Sequence, residues 1–508
     1  MLRLVIFATL WAFCLSCKQS PPSQKVSPLA ITFPISTTVQ SIDPLFATNE
    51  ATGIVATLIH RYLFKVNHLG KTKADLVIKE KVDPKEKLWI LELKRGKLTA
   101  SDVAKSLNRV IASKRFYWVF DGIKKITALE QYQLAISFYQ KPSRQFLKSL
   151  KTRLSLPPCA VLKWKNDKPI IDKTFGEYYL KKNDLNKVIL KRSNGELHNA
   201  GSWQANQIIL KVVKDKASKQ FLFQKNHFDY YEASGPYALL NKFPNNDEKG
   251  WSIKQKTLLT VIYAAMMQNQ DKNNILNNLS FRQWLNYQFS QDLVCRKLLQ
   301  NSCYASDIPV PPQIGIKLVP KYFTQVGLSK SELGLFRQRQ LILLKKWRQE
   351  VSLYIQNQVI QIFTPPDLMR QSIAQVIFQT LKKVGLKPKF NVYDLSTLVK
   401  LNNDKVAGIY IFKWIADYPH FENFLIPLFH SKNLGSKGNR AYYIDSQTDY
   451  YLDNLNKQTS LRKVLQRIRE QAPWIFVGFD QKKVFYNTKK LSSFPLTYTG
   501  WWSFFSKK

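Results

Sequence analysis

Acidic residues are scarce in this chain of 508 residues: 35 Asp and Glu stand against 77 Lys and Arg, a formal charge of +42. Such a balance suggests phosphate neutralisation, but that needs clustered cations. Here they are spread along the chain in short pairs such as Lys124-Lys125, Lys181-Lys182, Lys345-Lys346 and Lys382-Lys383. No basic block stands apart and no nucleic-acid fold signature occurs, so no nucleic-acid partner is expected. Histidine is also rare, with six in all and no pair at the i, i+4 spacing that puts two metal ligands on one helix face. His420, Glu422 and His430 form the one local set with ligand character, at a spacing that fits no standard site. Gly-x4-Gly-Lys-Ser/Thr and Gly-x-Gly-x-x-Gly are both missing, which removes the usual backbone cradle for nucleotides. Gly-x-Ser-x-Gly is missing too. These absences weigh against an enzyme and against a metal or other cofactor.

Long apolar runs are likewise lacking beyond the first. Residues 1–16 carry one positive charge at Arg3, an apolar stretch from Leu4 to Leu15 and a small residue, Ser16. This is the pattern of a secretory signal peptide, shorter than the roughly 20 residues of a spanning helix. Cys17 follows, and 17–27, with Pro21 and Pro22, reads as a flexible tether. Past Cys17 only Cys159, Cys295 and Cys303 remain, an odd number and no disulfide framework. Cys295 and Cys303 can pair in an oxidising compartment. The remaining chain is 45% apolar over its full length and long enough for more than one core.

Local patterns predict mixed strands and helices. Ala30 to Ile35 begins as an apolar strand and leads to an Asp43-Pro44 turn. A helix follows with Ile54, Leu58, Ile59 and Leu63 on one side. Trp89 to Leu93 alternates as a strand. Thr99 and Asp102 have capping-box spacing ahead of a stripe of Val103, Leu107, Val110 and Ile111. Ser372 to Leu386 is a further helix, with Ile373, Val376, Ile377, Leu381 and Val384 on one face and Gly385 as its stop. Strands are predicted at Lys389–Val392 and Gly408–Trp414, the second running into the loop Ile415 to Pro419. Such alternation suggests α/β lobes rather than repeats or bundles.

Four stretches, in order, carry a resemblance. Ser41-Ile42-Asp43-Pro44 resembles an "SLDP" opening, and Leu93-Lys94-Arg95-Gly96 with Thr99-Ala100-Ser101-Asp102-Val103 an "L-R-x-G … T-A-x-D-V" segment. Phe281-Arg282-Gln283-Trp284-Leu285-Asn286-Tyr287 with Pro309-Val310-Pro311-Pro312 resembles "V-R-Q-A-L-N-Y … P-x-P", and Trp414-Ile415-Ala416-Asp417-Tyr418-Pro419 resembles "W-x-A-D-Y". From about residue 28 to 505 the chain resembles the solute-binding family that serves ABC importers of oligopeptides and dipeptides. Leu-Ser-Cys17 resembles a lipobox, in which Cys17 is acylated, although Cys14 stands where Leu or Val is usual. Three features depart from the family: its "F-x-D-G" segment is deleted, Lys413 replaces a glycine before Trp414, and Pro419-His420-Phe421 replaces an acidic-Pro pair.

The resemblance implies a two-lobed periplasmic-binding-protein-like fold of type II with a hinge and an inserted subdomain. Lobe I would comprise 28–46, 172–254 and 480–508, the subdomain 47–171 and lobe II 255–479. It implies an extracytoplasmic lipoprotein, a monomer anchored to a bacterial membrane, which captures peptides between its lobes and delivers them to an ABC permease. By the same likeness Asp417 meets the peptide ammonium, while Trp414 and Tyr418 line a side-chain pocket or belong to the core. Asn49 and Glu50 would offer backbone to an extended peptide, and Lys413, where it faces the cleft, attracts a carboxylate. Asp417 bracing its own Tyr-Pro turn is the plainer alternative. Rival functions are a non-peptide cargo (metal chelate, haem or sugar) and a basic adhesin that binds polyanions.

Overall fold

Alternating burial in Ala30–Ile35 sends Ile31, Phe33 and Ile35 into a core. In the computed structural model, which describes residues 30–491 apart from 48, 68–70, 84, 194–204, 234–243, 245–249, 315–328 and 456–457, this strand lies at the edge of a four-stranded sheet. It pairs in parallel with Gln207–Val212, which continues antiparallel to Lys187–Arg192 and Tyr178–Asn183. The signal peptide, Cys17 and the tether lie outside the described residues. So does the end of the chain from 492 onwards.

The helix Glu50–Ile59 covers this sheet through Ile54, Leu58 and Ile59. It starts where it does because the Asn49 side chain accepts from the Thr52 amide, and the Thr52 hydroxyl answers the Asn49 amide. Leu63, expected on this helix, falls beyond its end and packs into a neighbouring core instead.

That neighbouring core belongs to a second four-stranded sheet, ordered Val77–Asp83, Leu88–Leu93, Gln133–Phe138, Ile123–Glu130. The predicted Thr99–Asp102 capping box opens the helix Ala100–Ala112. Val103, Leu107 and Val110 are buried against the sheet. Ile111 is not: it sits 37% exposed at the rim, because an apolar stripe three residues wide already fills the contact.

The largest sheet has seven strands and two long members, Trp251–Met266 and Trp474–Asn487, paired antiparallel along their length. Near Trp251 they run beside Tyr230–Ala233 and close to the first sheet's core. Towards Met266 they carry Ile409–Ile415, then Val359–Thr364 and Lys387–Val392, with Cys303–Ala305 on the outer edge. From Leu259 to Met266 almost every residue is buried, as a strand covered on both faces requires. The helix predicted over 372–386 runs over Leu368–Lys383, capped by Asp367 and ended at Gly385, whose φ is +83°.

The lobe boundaries expected at 254/255 and 479/480 fall inside the two long strands, whose residues pack into the largest core at one end, while Val484 and Tyr486 reach the first sheet's core at the other. The ladder between the two strands is irregular at two places, between Thr257 and Val261 and between Ile262 and Tyr263. Thr257 pairs with Gln481 but Val261 with Phe479, leaving residues 258–260 on one strand opposite Asp480 alone on the other. Gly478 lies beside this irregularity at φ +148°, with the Tyr304 carbonyl where a side chain would stand. A disulfide joins Cys295 to Cys303 and fixes the edge strand opposite Gly478 to Asp480.

Candidate functional site

The crossing point of the two long strands is charged. Strand alternation puts Asp480 and Lys482 on one face of Trp474–Asn487, and Lys256 stands directly opposite Lys482. Two lysines facing each other across a ladder repel, and Glu232, from the neighbouring strand, resolves this. Its carboxylate lies 3.2 Å from Lys256 Nζ and 2.7 Å from Lys482 Nζ, and accepts from the Tyr230 hydroxyl. Burial pushes the Glu232 carboxyl up, but the two ammonium groups and the Tyr230 hydroxyl overcome it and hold it well below the usual carboxylate range. Burial lowers the Lys256 pKa despite Glu232. Lys482 is raised against its own burial by Glu232 and Glu50.

Glu50 faces this cluster from the first turn of its helix. Burial, then the neighbouring Glu232, raises its carboxyl, with Lys482, Lys256 and Lys219 acting in the opposite sense. It has no ion-pair partner within 4 Å among the described residues. Asn49 beside it spends its side chain on the helix cap and a contact with the Thr37 hydroxyl. Its role is therefore structural at the side chain, whatever its backbone meets.

On the other side of the crossing, Ile409–Ile415 ends in the loop that was singled out in the sequence. Lys413 Nζ lies 2.9 Å from the Asp480 carboxylate. Strand pairing sets Lys413, expected to attract a ligand carboxylate where it faces the cleft, against an acid of the crossover strand. Trp414 donates from Nε1 to the Asn423 carbonyl at 2.8 Å, and the Asn423 side chain accepts from the Asp417 amide at 3.1 Å. Both ends of the loop are thereby tied together.

Tyr418 does not line an open pocket. It is 7% exposed, lies in the core of the second sheet's unit and stacks on Trp118 with ring centroids 5.7 Å apart. Burial raises its hydroxyl to about 12. Next to it His420 Nε2 meets Gln145 at 2.8 Å, and Ser149 donates to Glu422 at 2.6 Å. Burial would raise the Glu422 carboxyl, but His420 and Ser149 lower it. The loop thus docks on the helix Arg144–Arg153, and sequence reasoning missed this entirely. His420 and Glu422 serve that contact, and no cluster able to hold a metal ion occurs among the described residues.

Asp417 sits between these fixed points. Its neighbours on both sides are engaged, yet its own carboxylate meets no Lys, Arg or His within 4 Å among the described residues. Burial raises its pKa, offset in part by a hydrogen bond to the Asn423 side chain. The arrangement can accept a small cation brought from outside, with Asn423 holding the carboxylate in place.

Of the six expected ligand residues, Lys413, Trp414, Asp417 and Tyr418 lie on one strand end and loop. Glu50 reaches the crossing from the opposite end. The residues that link them, Glu232, Lys256, Asp480 and Lys482, were not identified from the sequence. The short-range hint available was Asp480-Gln481-Lys482, an opposite-charge pair two residues apart in the sequence.

Comparison with known proteins follows this geometry. The family model of bacterial extracellular solute-binding proteins, family 5, matches residues 96–436. Among curated proteins, heme-binding protein A of Haemophilus influenzae is 25% identical over 295 residues, 55% of this chain and 49% of that protein, so the match spans about half of the relative's length. Among solved structures, the periplasmic murein tripeptide-binding protein MppA in its unliganded open form superposes with a TM-score of 0.74 at 16% identity, covering 93% of this chain and 95% of that one. The periplasmic binding protein DppA of Helicobacter pylori in complex with the peptide STSA gives 0.69 at 16% identity, covering 94% and 97%.

Proposed function

This chain belongs to the bacterial extracellular solute-binding proteins of family 5, which serve ABC importers, and from that premise we propose that it captures peptides between two lobes. The two long strands act as the hinge, with the irregular ladder at Thr257–Val261 as the place where the backbone gives. Asp417 receives the peptide's α-ammonium. One observation carries this reading: a solvent-accessible carboxylate on a loop braced by Asn423, with no Lys, Arg or His of the described residues within 4 Å. Enclosing an ammonium removes it from water, and a hydrogen-bonded counter-charge offsets that cost. Trp414 holds the loop rather than the ligand. The Glu50 carboxylate and the backbone beside Asn49 border the opposite wall, and the cargo passes to an ABC permease in the membrane to which acylated Cys17 tethers the protein.

Calorimetric titration with a free-amine tripeptide and its N-acetylated twin tests the assignment. Asp417→Asn weakens binding of the free-amine peptide by roughly a hundredfold, the loss of about 3 kcal/mol for a truncated buried charge pair. It leaves the acetylated one almost unchanged. Equal losses for both ligands would refute the ammonium role. A haem cargo is the second reading, favoured by the curated relative's name. Spectral titration with haemin separates the two, because a ligand without an ammonium gives Asp417 no partner.

A further inference from the structure

The helix Lys330–Glu350 lies over the largest core with one stripe inward: Phe336, Leu343 and Trp347 are buried at helical spacing. Its opposite side is unusual for a water-facing surface. Leu335 is 66% exposed, Leu341 60% and Ile342 55%. Leu335 and Ile342 are seven residues apart and share a line along the helix, and Leu341 flanks them. Leu353 and Tyr354, at the start of the next short helix, are as open. Cations surround this aliphatic strip. Arg337, Lys345, Lys346 and Arg348 project from the same exposed arc. Arg348 also reaches 2.9 Å to the Val384 carbonyl, which brings in exposed Lys382 and Lys383 from the end of Leu368–Lys383.

We propose that this face of the helix Lys330–Glu350, with Lys382 and Lys383, rests on an anionic lipid bilayer. Charge complementarity selects the occupant. Large aliphatic side chains interleaved with Lys and Arg on one convex helix face are what the headgroup boundary of a charged membrane accommodates: chains dip in and cations stay with the phosphates. The family works outside the cytoplasmic membrane beside an importer embedded in it, so a bilayer is always within reach. Each cation near such a surface contributes about fivefold in affinity, and salt weakens the contact. The inference is independent of the cargo site.

Co-sedimentation with vesicles of phosphatidylcholine, with and without phosphatidylglycerol, tests it. The full chain carries Cys17→Ser in every sample, so that no acyl chain contributes and the leader's effect is common to all. The parent binds phosphatidylglycerol vesicles and releases them in high salt. The pair Leu341→Glu/Ile342→Glu and the pair Lys382→Glu/Lys383→Glu each reduce that binding at least tenfold. All four side chains are on the surface, and an unchanged melting midpoint verifies the fold. Lys79→Glu/Lys81→Glu, on the exposed strand Val77–Asp83 of the other sheet, is the control for overall charge and leaves binding within about twofold. Binding that is insensitive to both helix-face pairs, equal losses from the Lys79/Lys81 pair, or equal binding to uncharged vesicles would each overturn the proposal.

Discussion

Glu232, withdrawn from water, and Asp417, exposed on a loop, are acids that the chain treats in opposite ways. Glu232, at the crossing of the two long strands, is gripped by Lys256, Lys482 and Tyr230. Asp417, on the loop after Ile409–Ile415, has an asparagine for company and no cation. The first arrangement is complete, and its removal leaves two lysines stranded, one of them buried. The second is incomplete, and its completion needs something the chain does not supply. The paired acid holds the lysines of the long strands together, and the unpaired one is the residue to which recognition is proposed.

The contrast breaks most visibly at Glu232. Glu232→Gln strands two lysines, one of them buried, and should cost about 3–5 kcal/mol in chemical denaturation. A loss below 1 kcal/mol would show that the cluster is solvated and that the comparison fails. The disulfide beside the crossing comes next. Cys303→Ser opens a short loop and should lower stability by about 2–3 kcal/mol, while peptide affinity moves by less than threefold because no cleft residue is lost. Ser149→Ala removes the hydrogen bond to Glu422 and should cost about 1 kcal/mol. Because that contact docks the Asp417 loop on the helix Arg144–Arg153, the loop's amide exchange should quicken while exchange in the long strands does not change.

Acid sharpens the comparison. The Glu232 carboxyl is lowered in the folded state, so its stabilisation is present above its ordinary value and is lost as pH falls through and below it. The Asp417 carboxyl is raised, so ionising it without a partner lowers the stability of the empty protein as pH rises from the ordinary value through the raised one. Asp417→Asn should abolish that second component alone, as seen in denaturation series across pH.

What could be seen in the sequence was local. The Thr99–Asp102 box, the cap at Asp43, the helix after Asn49 and the strand before Asp417 depend on residues within a few positions of one another. Asp417 stood out as an acid amid cations. The partner of Lys413, Asp480, is 67 residues away, and strand alternation alone could not say which wall Lys413 faces. Tyr418 was a pocket candidate until the helix Arg144–Arg153, from a distant segment, enclosed it. The cluster around Glu232 joins residues up to 250 positions apart, which no periodicity encodes. Long-range charge pairing is a product of sheet register, and register became visible only in three dimensions.

Proton release on binding tests the central claim most directly. An ammonium docked on Asp417 must lower a pKa that stands above its ordinary value in the empty protein. Calorimetry of a free-amine tripeptide in buffers of differing ionisation enthalpy should show a fraction of a proton released in mildly acid solution, and none at neutral pH. Affinity should rise with pH across the same interval, and Asp417→Asn should erase both effects. Tight binding with no proton released, or with release that persists in Asp417→Asn, would contradict the assignment of that carboxylate to the ligand's positive end.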